Sequence, residues 1–181
     1  MGIILNLLIL LGLLGGIMWC VRRGWLRTLI SIGVLFLSTL FAALLYTPLI
    51  NAFTAGLGNP SSGRTAGAIV FAGLVIVFVA IQEAMVHRNY PNLRSGKSGT
   101  LNSALAAILG VIWSMYVISL VLMTLEFAAF SIGGGVSFIS DWIGQAGLVP
   151  VFRAFFSVPL IPIRALFQGH APEVLLYFSP K

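Results

Sequence analysis

Four long runs with almost no charge constrain this chain more than any other feature. Residues 3–21 hold no charged side chain. Residues 26–49 have Arg27 at the start and close near the Thr47-Pro48 step. Residues 65–86 are interrupted only by Gln82 and Glu83 near their end. Residues 101–126 are uncharged until Glu126. A helix needs about 20 apolar residues to cross a hydrocarbon core of ~30 Å. No water is available there, so every backbone group must be satisfied inside the segment, and runs of this length are expected to be helical. A membrane barrel would show shorter segments of alternating polarity, and none is evident.

Composition agrees with an apolar solvent. Apolar residues make up 59% of the 181 and charged residues 8%, whereas a water-soluble domain carries about 25% charged residues. The net charge is +6. Its basic residues stand at the ends of the apolar runs, which suits lipid headgroups and membrane orientation rather than nucleic acid. Cys20 is the lone cysteine, so no internal disulfide and no thiolate metal site is available to it, and a small buried side chain is expected. Residues 1–21 lack a basic leading segment and a clear small-x-small cleavage site, and they end on Arg22 and Arg23. They read as a retained span rather than a cleaved signal.

The expected fold is an all-α integral membrane protein. Residues 1–130 form a domain of four transmembrane helices with short links, and residues 131–181 form an apolar tail. Lys and Arg counts orient it. The first and third loops share one side and carry Arg22, Arg23, Arg27, Arg88, Arg94 and Lys97, against Arg64 alone in the second loop. The richer side is expected to face the cytoplasm. With four spans, both termini lie outside. In the tail, Ser131-Ile132-Gly133-Gly134-Gly135 reads as a breaker. After it, Leu148, Val151, Phe152, Phe155 and Phe156 share a face from which Arg153 and Ser157 point away. With Pro150 in a first turn, this predicts a short amphipathic helix at the outer face, on lipid or on the bundle. A second short helix is expected over residues 172–178. No window in the tail looks long and charge-free enough to span.

Few constellations suggest chemistry. Ser95-Gly96-Lys97-Ser98 resembles the end of a phosphate-binding loop, but the required earlier glycine is Pro91, so no nucleotide is expected. His87 and His170 fall on opposite sides in this topology, so neither a metal nor any other cofactor is expected. The acidic groups are better candidates, because an ionisable side chain in a membrane marks a pair or a pathway. Glu83 is expected to meet Arg22, Arg23 or Arg27. Glu126 and Asn6 are expected at similar depth near the outer side. Gly12 and Gly16 form a G-x-x-x-G pair, and Ala106, Gly110 and Ser114 form a small-residue ladder reaching back to Asn102. Such faces allow close helix packing within the chain or in a homo-oligomer.

Two stretches resemble the CvpA family of colicin V production proteins. One is Val21-Arg22-Arg23-Gly24-Trp25-Leu26-Arg27-Thr28-Leu29-Ile30-Ser31, similar to the family's arginine-glycine segment between the first two helices. The other runs from Ser98-Gly99-Thr100-Leu101-Asn102 to Gly110, similar to its third loop and the start of its fourth helix. The chain departs from the family at Asn102, commonly aspartate there, at Ala106, commonly glycine, and near Trp113, where an arginine is common. The resemblance implies a non-catalytic protein of the bacterial inner membrane that supports toxin production or export, or envelope homeostasis. Arg22, Arg23, Gly24 and Arg27 would then orient the first hairpin, and Gly110 would let the fourth helix pack closely. Two other classes compete with this reading. One is a small transporter or channel subunit using Glu83, Gln82, Asn102 and Asn6. The other is a scaffold subunit of a larger membrane complex. The lipid bilayer is the one partner common to all three.

Overall fold

A computed structural model of the chain describes residues 2–54, 60–89, 99–131, 137–167, 172 and 175. The described elements are all helical: α1 (Gly2–Arg23), α2 (Trp25–Thr54), α3 (Pro60–Asn89), α4 (Thr100–Ser131), α5 (Ser137–Gln145) and α6 (Val149–Leu166). Five of them, all but α5, are long and apolar enough to cross a membrane.

Three of the first four helices begin or end about five residues outside the apolar runs, α4 by continuing to Ser131. α2 continues through Pro48 to Thr54, and α3 already begins at Pro60, inside the link between the second and third apolar runs. Hydropathy marks the hydrocarbon slab, whereas the helical hydrogen-bond ladder carries on into the headgroup region. At 1.5 Å per residue, a helix of 30 residues is about 45 Å long, the thickness of a bilayer with its headgroups. Pro60 is tolerated because the first helical position needs no donor.

α4 is the central element. It packs on α1, α2, α3, α5 and α6. Its core includes Tyr116, Leu120, Leu122, Met123 and Phe127, with Leu35, Ala42, Ala43 and Tyr46 from α2 and Ala68 and Phe71 from α3. The outer surface is equally apolar. Ile3, Leu7, Leu11, Leu14 and Met18 of α1 and Ile69, Ile76 and Met85 of α3 are exposed. Apolar belts of this extent are unfavourable in water and suit lipid tails. Polar side chains inside the helices satisfy themselves locally. Thr28, Thr39 and Ser114 donate to the carbonyls of Gly24, Leu35 and Gly110.

The C-terminal part departs from expectation. The short surface helix is an 18-residue helix, α6, that also meets the length and apolarity of a span. Its buried stripe is Val149, Phe152, Phe156, Leu160 and Ile163, with Val151 exposed, so the face predicted through Leu148, Val151 and Phe155 is rotated. This stripe packs on the bundle. Ser119 donates to the Phe152 carbonyl at 3.2 Å, and the Tyr116 and Phe156 rings lie 5.8 Å apart. Numbers fall on α4 as they rise on α6, so α6 runs antiparallel to α4 there. Arg153, expected off the apolar face, is only partly exposed. It meets Glu126 of α4, which removes the unpaired charge that spoiled the hydropathy window. Of the second expected helix, only Pro172 and Leu175 lie among the described residues. Both are buried, and the Leu175 amide donates to the Pro172 carbonyl at 2.9 Å.

Candidate functional site

The α1–α2 connection is a single residue, Gly24, with φ +86°. This left-handed conformation costs glycine little and strains any other residue. The hinge brings the last turn of α1 and the first turns of α2 to the end of α3, where Glu83 sits. Arg23 Nη1 lies 3.2 Å from Glu83 Oε1, and Arg27 Nη2 lies 3.9 Å from Oε2. Ser31 Oγ donates to Oε1 at 2.5 Å. The Arg23 guanidinium also stacks 4.7 Å from the Trp19 ring centre. One turn away in the same hairpin, Trp25 N donates to Asn102 Oδ1 at 3.5 Å, tying it to α4. Gln82 donates to Ser38 at 3.2 Å. Three helices are therefore closed by one carboxylate and α4 by one amide. Two guanidiniums share one carboxylate, so the cluster keeps a net positive charge. Arg22 and Arg88 are exposed beside it. Arg94 and Lys97 lie outside the described residues.

Above this cluster, α2, α3 and α4 leave an apolar slot of about 430 Å³, within the usual range of about 300–1,000 Å³ for ligand pockets. Val34, Leu35, Phe71, Val75, Trp113 and Leu120 form much of its wall. Ser31 and Glu83 stand at one end and Thr124 at the other. Ile76, Ala80 and Val121 on the rim are exposed, so the slot opens sideways between α3 and α4.

The small residues lie in the α1–α4 seam. Gly12 faces Ile118, and a Cβ at Gly16 would collide with the Ser114 hydroxyl. A Cβ at Gly110 would come within 2.9 Å of Cys20 Cβ and 3.2 Å of Ile17 Cα. Ala106 is fully buried. Both small-residue faces are thus filled within a single chain. Cys20 is buried in the same seam.

At the other end, Asn6 Oδ1 accepts from the Leu148 amide at 3.3 Å. Glu126 pairs with Arg153, not with Asn6. Gly2 abuts the Gln145 carbonyl, which closes α5 over the α1 terminus. Sequence reasoning did not single out Ser31 or Ser38, nor name Arg153 as a partner. Ser31 and Ser38 carried a signal, a hydroxyl about two and four turns past the hinge. Arg153 carried none, because its partner lies 27 residues away. Among the described residues, no group of three His, Cys, Asp or Glu could hold a metal. Comparison with protein-family models, curated proteins and solved structures finds no match.

Proposed function

We propose that this chain is a CvpA-like, non-catalytic protein of the bacterial inner membrane that supports toxin production or export, or envelope homeostasis. The observation that carries the reading is the clamp of Arg23, Arg27 and Ser31 on Glu83. The arginine-glycine hairpin that bears the family resemblance is also tied by polar contacts to α3 and α4, through Glu83 and Asn102. Glu83 is engaged by two arginines and a serine, an arrangement suited to holding helices together.

In this reading the clamp faces the cytoplasm and the N-terminus lies outside, following the excess of Lys and Arg. The register of α6 favours a fifth span over a surface helix. Gly12 faces Ile118 and Gly16 faces Ser114, so Asn6 stands roughly level with Thr124. Leu148 meets Asn6, Phe152 meets Ser119 and Phe156 meets Tyr116. α6 thus descends from the outer side to mid-depth in eight residues and has ten more to go. Arg164 near its end then joins the cytoplasmic charges, and the C-terminus lies inside, unlike the four-span expectation.

The test is a deletion strain carrying plasmid copies of the gene, together with purified protein in liposomes. The wild-type copy should restore toxin release or envelope resistance, while the liposomes show no proton or ion flux. A proton flux abolished by Glu83→Gln at unchanged protein level would favour the transporter reading instead.

A further inference from the structure

The slot and the clamp form one continuous feature. Its apolar walls run along α2, α3 and α4 and end on Ser31 and Glu83. Beyond Glu83 stand Arg23 and Arg27, with Arg22 exposed on the same turn as Arg23. The rim opens between α3 and α4 onto the same apolar belt that faces lipid. Water gains little in such a slot, because its wall offers polar partners only at the two ends. A water-soluble ligand would reach it only through the bilayer. The chemistry that fits both parts is a long hydrocarbon chain attached to an anionic group.

We propose that the α2–α3–α4 slot is a binding site for one anionic phospholipid. One acyl chain lies along Val34, Phe71, Val75, Trp113 and Leu120, and the phosphate rests on Arg23 and Arg27. The charge balance selects the headgroup. Three arginines stand against one carboxylate, so the Glu83 end of the slot is cationic even with Glu83 ionised. Basic pockets between membrane helices on the cytoplasmic side are suited to anionic headgroups. Glu83 holds the two guanidiniums in place without neutralising them. This site does not depend on the role in toxin production or envelope function proposed above.

Native mass spectrometry of the full chain, released from bilayers of equal parts phosphatidylglycerol and phosphatidylcholine, tests the assignment. The wild type should retain one phosphatidylglycerol per chain in preference to phosphatidylcholine. Arg27→Gln should lower that retention about fivefold, the worth of one basic side chain at an anionic surface. Ala72→Phe on α3 and Val121→Phe on α4 each fill the slot from a different helix, and either should abolish retention while Arg27 remains. Soluble glycerophosphate should not compete, because it lacks the chain. Thermal unfolding of each variant identifies any that misfolds, and the remaining variants decide. Equal retention of the two lipids, or unchanged retention in the folded slot-filling variants, would overturn the proposal. Displacement by glycerophosphate would also overturn it, because it would assign a free phosphate site.

Discussion

Gly16 and Gly110 show how little space separates α1 from α4. A methyl at either position meets the opposite helix, whereas Gly15, one residue away, has nothing within 4 Å. Overpacking a close seam costs about 1–3 kcal/mol. Gly16→Val and Gly110→Val should therefore lower the thermal unfolding midpoint in detergent, and Gly15→Ala should leave it unchanged or slightly raised. Equal effects at Gly15 and Gly16 would contradict the seam. The two ion pairs are exposed to a similar degree: the Arg23 and Glu83 side chains are 28% and 23% exposed, and those of Arg153 and Glu126 38% and 17%. Partial hydration lowers the worth of both pairs. A double-mutant cycle should give a coupling of about 1 kcal/mol or less at each. A coupling several times larger at either pair would contradict this.

At the scale of elements, α6 depends on α4 more than on its own sequence. Its stripe meets Ser119 and Tyr116 with Phe152 and Phe156. In lipid, exposing a phenyl ring carries no hydrophobic penalty of the aqueous kind, so Phe156→Ala should cost chiefly the lost packing. A loss of about 1–3 kcal/mol, below or near the low end of the 3–5 typical of soluble cores, is expected in a thermal unfolding assay. The same contrast explains what sequence could and could not tell. Residues 3–21, 26–49, 65–86 and 101–126 were legible because lipid demands unbroken apolar runs, and the ladder at Gly12, Gly16, Ala106 and Gly110 was legible from small-residue spacing. Glu83 was legible as an ion pair because its candidate arginines all sit in one short hairpin. α6 was not legible as a helix long and apolar enough to cross a membrane. Arg153 and Arg164 lower its local hydropathy, and Pro159 and Pro162 each remove a helical donor. The neutralising contact to Glu126 comes from another helix, which no local window can sense. Pro60 likewise lies in the link between two apolar runs, yet it serves as the first helical residue of α3.

For the whole molecule, the central claim is that a bundle of apolar helices is built to sit in lipid, with α4 at its middle and polar ties at both ends. A cytoplasmic reporter fused after Lys181 should be active, and one fused before Met1 inactive, if α6 crosses as the fifth span. An externally active C-terminal reporter would return the chain to four spans. The claim itself is tested most directly by washing native membranes with alkaline carbonate and following the full chain. The account predicts that the protein stays with the sedimented bilayer and leaves it only in detergent. Release into the supernatant as a dispersed, detergent-free monomer would contradict it.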